Sequence, residues 1–149
     1  MPGDFTGVYT ANIEASQSTL ITALQITAGS GRPLYIVRWS ITQRGSTASA
    51  MQTINLLRKT AGATVTSITP APLNSNYPSA AATAGHSASA EGTDSTILDR
   101  RSFNSLAGIE VLYTPDEMPL VPAAGIIAWK WAAAPTNTTW VFSATFGEV

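Results

Sequence analysis

Few side chains in this sequence can act as a nucleophile, a base or a metal ligand. His86 is the only histidine, and it stands in a stretch of Ala, Ser and Gly whose nearest acid is Glu91. The absence of cysteine excludes a thiolate nucleophile, a thiolate metal site and a disulfide framework. A histidine-dependent triad would rest on this single position. We therefore predict that the chain is not an enzyme, and we assign no catalytic residue.

The carboxylates are not spaced as catalysis or metal binding requires. Glu91, Asp94 and Asp99 form the only local acidic cluster, and their spacing matches no calcium-binding loop. Asp116 and Glu117 are neighbours in a predicted turn, whereas a glycosidase pair flanks its sugar from separate elements. We expect neither a metal ion nor a cofactor. A calcium site on Glu91, Asp94 and Asp99 is the less favoured alternative.

Charges are few and balanced, which bounds the choice of partners. Eight basic and nine acidic residues give a formal net charge of -1, and only 11% of residues are charged. Such a chain has no long-range attraction for nucleic acid or an anionic membrane. So few charges are typical of a surface covered by copies of the protein or by a partner, or of a Thr-rich sheet face. The basic pairs at 58–59 and 100–101 are expected in surface ion pairs or a subunit contact.

No segment has the features of a targeting sequence or a membrane span. Residues 1–4 are not basic and are not followed by an apolar stretch, so no signal peptide is predicted. The most apolar stretch, 118–134, is interrupted by Pro119, Pro122 and Lys130, so no membrane span is predicted either. We expect a protein that is made in a cytosol and leaves it only by lysis.

Alternating side chains predict β-strands along most of the chain. The clearest strand spans 34–43, where one face, expected in the core, carries Tyr35, Val37, Trp39 and Ile41. Leu34 and Ile36 share the other face with Arg38, so this end of the strand is expected to be covered as well. Weaker alternation predicts further strands at 7–13, 19–27, 51–59, 64–69, 96–103, 109–114, 126–132 and 138–146.

The links between the predicted strands indicate the architecture. A tight link at 61–62 predicts that the strands at 51–59 and 64–69 form a hairpin. Residues 70–92 hold three prolines and a run of Ala, Ser and Gly, and predict a long central loop with one helical turn near 80–84. No helix of normal length separates the strands. We therefore predict an all-β chain with one domain over 1–149, an antiparallel β-sandwich or jelly roll.

Three tryptophans lie in two predicted strands joined by the turn at 135–137. Trp129, Trp131 and Trp140 are expected to face each other across a hairpin and to pack in the core or in a subunit interface. The alternative is a platform on which a carbohydrate stacks. That alternative requires at least two of the three rings to be exposed side by side.

Five segments resemble those of a known group of proteins. They are YIVRW at 35–39, INLLRK at 54–59, PDEMPLVP at 115–122, GIIAWKW at 125–131 and WVFSATFGE at 140–148. In these segments the chain is similar to the small auxiliary head proteins of tailed phages, also called decoration or cement proteins. Many of these proteins are β-sandwich or jelly-roll trimers that bind the outside of the capsid.

The resemblance implies a structural virion protein on the capsid surface. Its partners would be itself, as a homotrimer, and the major capsid protein, whose shell it would stabilise against the pressure of packaged DNA. Under this interpretation, intersubunit or capsid contacts involve one end of the chain and Pro115, Met118, Leu120, Val121, Leu34 and Ile36. The alternatives are a tail or head-fibre subunit and a free carbohydrate-binding module.

Overall fold

The computed structural model describes residues 4–149; Met1–Gly3, which begin the segment considered above for targeting, lie outside the described residues. The described residues form strands and connecting segments without a helix, and so contain none long and apolar enough to span a membrane. The all-β prediction is confirmed. The strands are β1 Gly7–Gln17, β2 Thr22–Thr27, β3 Leu34–Arg44, β4 Met51–Ala61, β5 Thr64–Ile68, β6 Ala71–Pro72, β7 Thr83–Ala90, β8 Thr93–Asn104, β9 Ile109–Leu112, β10 Leu120–Val121, β11 Ile126–Trp131 and β12 Thr138–Glu148.

The strands form two antiparallel sheets that pack face to face. The first sheet has the order β10-β3-β12-β1-β6, and β9 pairs with β3 on the same side as β10. The second sheet has the order β5-β7-β2-β11-β4-β8. Apolar side chains from both sheets form one buried cluster between them. The predicted antiparallel β-sandwich is therefore confirmed.

Aromatic side chains join the two sheets at the centre of this cluster. Trp131 on β11 and Trp140 on β12 lie 4.9 Å apart, measured between ring centroids. Trp39 on β3 meets Trp129 on β11 edge to face at 6.3 Å. Each such pair contributes about 0.5–1.5 kcal/mol beyond the area that it buries. Because each pair has one ring from each sheet, these contacts set how the sheets sit against each other.

A β-bulge at Val37 decides which residues of β3 face the core. The register of β3 against β12 slips by one residue there, and a one-residue slip reverses the face that each side chain takes. Leu34 and Ile36 before the bulge, and Trp39 and Ile41 after it, are therefore all buried. The prediction that Leu34 and Ile36 make intersubunit contacts is wrong, since neither side chain has any exposed surface.

The segment predicted as a central loop contains a strand. Residues 83–90 form β7, which pairs with β2 on one side and β5 on the other, and no helical turn occurs at 80–84. The small residues that suggested a loop allow close packing. A Cβ at Gly85 would lie 2.2 Å from Cγ2 of Val65 on β5. The loop predicted at 70–92 is therefore confined to the links around β6 and β7.

The predicted hairpin of β4 and β5 is also wrong. β4 pairs with β8 and β11, whereas β5 pairs with β7, so the strands on either side of 62–63 have no ladder in common. Instead, residues 51–68 run antiparallel to 83–104 as one long ribbon that is interrupted at 62–63 and 91–92. At this interruption the backbone of the link at 62–63 lies close to that of the link at 91–92. Gly92 has φ +68°, and a Cβ there would lie 2.4 Å from the carbonyl oxygen of Ala61.

The close approach of these two links predicts that Gly92 tolerates no side chain. Gly92→Ala should lower the free energy of unfolding by about 3 kcal/mol or more, because left-handed strain adds to a clash with backbone carbonyls. Gly31→Ala is the matched control, since Gly31 has φ +77° but no neighbouring atom within 4 Å. It should cost only about 1 kcal/mol. Urea unfolding of both variants measures the difference. Equal losses of unfolding free energy would contradict the close approach of the two links.

Candidate functional site

The proline-rich segment supplies some of the exposed residues that the sequence predicts for an interface. Pro115 is exposed, Met118 is partly buried and Leu120 is 40% exposed. Val121 has no exposed surface, so the prediction is wrong for this residue. Its burial follows from the pairing of β10 with β3, because alternate residues of a strand point to opposite faces.

The three tryptophans form no carbohydrate platform. Trp129, Trp131 and Trp140 are at most 1% exposed, so the platform predicted as an alternative is wrong and the core packing is confirmed. Trp131 and Trp140 face each other between the sheets, because β11 and β12 belong to different sheets rather than to one hairpin.

The indole N–H groups of these tryptophans differ in their partners. Trp131 Nε1 donates a hydrogen bond to Gln17 Oε1 at 2.8 Å, and Trp140 Nε1 donates to the carbonyl of Thr136 at 3.1 Å. Trp129 Nε1 finds no acceptor among the described residues. Since a buried donor without an acceptor costs free energy, Trp129 contributes through the packing of its ring alone.

His86 lies on β7 rather than in a loop. Its Nδ1 is 2.9 Å from the hydroxyl of Ser87, which also accepts a hydrogen bond from Gln17 Nε2. Burial lowers the pKa of His86, so its neutral form predominates at neutral pH. Within residues 4–149 no carboxylate contacts the imidazole ring. The ring therefore lacks the acid that orients the histidine of a triad.

The acidic cluster predicted as a possible calcium site is divided between two places. Asp94 accepts hydrogen bonds from Lys59 Nζ and from Lys130 Nζ, the second at 2.7 Å. Glu91 accepts from the backbone N–H and the hydroxyl of Thr22. Asp99 lies elsewhere, bonded to an arginine, and no group of three possible metal ligands occurs in the described part of the chain. We call Lys59, Lys130, Glu91 and Asp94 the lysine clasp.

The lysine clasp holds the link between β7 and β8 over the outer face of the second sheet. Lys59 Nζ also donates to the backbone carbonyl of Glu91 at 2.7 Å, and the Lys59 side chain is fully buried. Leu57 and Ala128 on the same outer face are buried as well. Burial raises the pKa of Asp94, but hydrogen bonds and charge from Lys130 and Lys59 outweigh it and hold the pKa below its ordinary value of 3.8. The clasp is thus a structural ion-pair network.

A groove of about 350 Å³ opens where the edges of the two sheets meet. One wall comes from β4 and β8 of the second sheet, and the other comes from the segment after β9 in the first sheet. We call it the edge groove; its lining residues are Arg58, Leu98, Asp99, Arg101, Tyr113, Glu117 and Pro119. The volume suits a small ligand or a projecting turn of another protein.

A hydrogen-bonded chain connects the core to the wall of the edge groove. Trp39 Nε1 donates to the hydroxyl of Tyr113 at 3.0 Å, and that hydroxyl donates to Asp99 Oδ2 at 3.2 Å. Arg101 Nε donates to both oxygens of Asp99 at 3.1 Å. Burial, together with the neighbouring Asp99 carboxylate, raises the pKa of Tyr113 to about 12, although the hydrogen bond from Trp39 acts the other way. Tyr113 therefore stays protonated, and its two hydrogen bonds hold the side chain in place in the groove wall.

Unpaired charge is concentrated beside this groove. We call β8, β9 and β10 with the segment that joins the last two the open edge. Seven charged side chains make no ion pair with another described residue: Asp4, Arg38, Arg58, Arg100, Glu110, Asp116 and Glu117. All of these except Asp4 lie on the open edge or on the strands next to it. Exposed apolar side chains occur there too, namely Ile97, Leu98, Leu112 and Leu120.

Sequence reasoning missed the edge groove because its walls come from distant segments. The two basic pairs were the only available signal. Alternation along β4 separates Arg58, which enters the groove, from Lys59, which enters the clasp on the other face. Tyr113 and Asp99 had no recognisable spacing, since their contact depends on how the two sheets pack.

The comparisons with known proteins identify no relative. The chain matches no family model, no curated protein and no solved structure. The class of the protein is therefore stated by its fold alone, an antiparallel β-sandwich.

The hydrogen bonds of the tryptophans predict unequal costs of substitution. Trp131→Phe should lower the free energy of unfolding by about 1–2 kcal/mol more than Trp129→Phe, because only the first leaves a buried Gln17 oxygen without its donor. The lost ring area is similar in the two variants, so Trp129→Phe serves as the matched control. Urea unfolding measures both, and a larger loss for Trp129→Phe would contradict the assignment.

The lysine clasp predicts a stability that falls in acid. The lowered pKa of Asp94 stabilises the folded protein. This stability is fully present above pH 3.8, the ordinary pKa of the carboxyl, and is lost as the pH falls through the lower pKa of Asp94 in the folded protein. Unfolding free energies measured from about pH 7 to about pH 3 should therefore fall more steeply for the unsubstituted protein than for Asp94→Asn. Asp116→Asn, at an exposed carboxylate without an ion pair, should keep the full slope. A slope for Asp94→Asn that equals that of the unsubstituted protein would count against the clasp.

Proposed function

We propose that this chain is a non-enzymatic structural subunit that associates with copies of itself through the open edge. The observation that carries the proposal is the coincidence of unpaired charge and exposed apolar side chains at this edge. On the open edge and the strands next to it, three of the unpaired side chains are basic and three are acidic. A surface with equal numbers of both signs can complement a second copy of itself.

The chemistry of the open edge favours association over exposure to water. In this weakly charged chain most acids and bases away from the edge already form ion pairs. Leu112 is 68% exposed and Leu120 is 40% exposed beside arginines and Tyr113. Arginine and tyrosine are enriched among the residues that contribute most to protein interfaces.

The bulged form of β8 favours a closed oligomer over a fibre. β8 is the outermost strand of the second sheet, and its register against β4 shifts three times between residues 93 and 99. Bulges twist an edge strand and hinder unlimited strand addition by further copies. Contacts through side chains in the groove then become the favoured mode of association, and a symmetric ring such as the proposed homotrimer can close.

The proposed setting is the outside of a tailed-phage head. The resemblance to auxiliary head proteins supports a decoration or cement protein, made in the host cytoplasm, with the major capsid protein as its second partner. A tail or head-fibre subunit would use the same open edge for self-association. The free carbohydrate-binding module is less favoured, because the three tryptophans that would form its platform are buried.

Substitution of adjacent residues on β10 tests the proposal. Leu120→Asp should weaken self-association at least about tenfold without unfolding the monomer, because Leu120 is exposed at the open edge. Val121→Asp should instead unfold the protein, since it buries a carboxylate in the core. Light scattering behind a sizing column measures native mass, and circular dichroism measures folding.

The control for this experiment is Leu20→Asp, at a residue that is 50% exposed in the link between β1 and β2. It should leave both the mass and the melting temperature nearly unchanged. A trimer that Leu120→Asp dissociates supports the proposal and leads to a binding assay with bare capsids. A monomeric unsubstituted protein would overturn self-association through the open edge.

A further inference from the structure

We infer that a turn at residues 114–117 of one copy docks into the edge groove of another copy, against Arg58 and Arg101. We call the turn Thr114–Glu117 the acidic turn, and Arg58 with Arg101 the arginine wall. The inference rests on the proposed self-association and names the contact that carries it.

The arginine wall has hydrogen-bond donors to spare. Arg58 reaches across from β4, and its Nη1 donates to the carbonyl of Leu120 at 2.6 Å. A carbonyl is a neutral acceptor, so Arg58 keeps its full charge. Arg101 uses only Nε, which donates to Asp99. The remaining guanidinium N–H groups of both residues donate to no described residue. Guanidinium groups of this kind bind carboxylates through paired, charge-assisted hydrogen bonds.

The acidic turn holds one of its two carboxylates, that of Glu117, in a fixed geometry. The backbone N–H of Glu117 donates to the carbonyl of Thr114 at 2.9 Å, and the Thr114 hydroxyl donates to Glu117 Oε2 at 2.9 Å. Pro115 restricts the backbone between them. All four residues are exposed, and neither Asp116 nor Glu117 forms an ion pair with another described residue. A turn ordered in advance loses little conformational entropy when it docks.

The occupant is a second copy because the two charged groups belong to the same groove without meeting. Glu117 lines the edge groove together with the arginine wall, yet it makes no ion pair with either arginine. Within one chain, Glu117 is held by Thr114 and Arg58 is held by Leu120. When the acidic turn of each copy docks into the edge groove of the next copy around a ring, every arginine wall receives an acid and every acidic turn meets an arginine.

Charge reversal tests this contact. Arg58→Glu and Glu117→Arg should each raise the dissociation constant of the oligomer at least about tenfold, because each places like charges across the contact. The double variant should recover most of the lost affinity, since it restores opposite charges. Sedimentation velocity over a range of protein concentrations measures all three. Single reversals without effect, or a double variant that is no better than the single ones, would overturn the inference.

A mixture of the two single variants separates contacts between chains from contacts within one chain. Mixed in equal amounts, they should associate more tightly than either variant does alone, because each supplies the charge that the other needs. Recovery in the double variant without recovery in the mixture would mean that the pair acts within one chain. That result would also overturn the inference.

Controls separate failed folding from failed docking. Arg44→Glu reverses an arginine on β3 that is 68% exposed and paired with Glu14, and it should leave association unchanged. Arg58→Gln, a milder variant, removes the charge without introducing an opposite one, so it should fold and still weaken association. Thermal melting monitors folding in each case. A monomeric unsubstituted protein refutes self-association itself, whereas an oligomer that is insensitive to these reversals refutes only the docking of the acidic turn.

Discussion

Contact between aromatic rings of opposite sheets is the interaction on which the other features of this sandwich depend. Trp131 against Trp140 and Trp39 against Trp129 set how the sheets face each other. The width of the gap at the open edge follows from that arrangement. Trp39 also connects the core to the edge groove, because its indole N–H donates a hydrogen bond to the hydroxyl of Tyr113 in the groove wall. A change in core packing would therefore be transmitted to the edge groove.

Neighbouring residues of β4 bring charge to two places with different roles. Arg58 enters the edge groove and makes no ion pair there. Lys59 enters the lysine clasp, where a carboxylate pairs with its ammonium group. The clasp covers the outer face of the second sheet, and a buried lysine is tolerated because carboxylate and carbonyl oxygens surround its ammonium group. In the groove, by contrast, Arg58 donates only to a neutral carbonyl within the described residues. Alternation along a single strand is sufficient to separate the two roles.

The scarcity of charge makes its distribution informative. Most charged side chains away from the open edge stabilise the fold locally, as the pair of Arg44 with Glu14 does. Six of the seven charged side chains that make no ion pair with a described residue lie at the open edge or on the strands next to it, beside exposed apolar groups. Such an arrangement favours specific association, because complementary charges fix the register of two surfaces and disfavour mismatched partners.

The sequence by itself determined the all-β class and the antiparallel sandwich, because side-chain alternation is a local property. For the three tryptophans it left core packing, a subunit interface and a carbohydrate platform open, and only the tertiary structure placed them in the core. Tertiary structure alone decided what depends on strand pairing. The bulge at Val37 turned Leu34 inward, and the pairing of β10 buried Val121. β7 became a strand because its small residues fit between β2 and β5, which no local pattern reports. The edge groove joins residues far apart in sequence, so it exists only once the two sheets have packed.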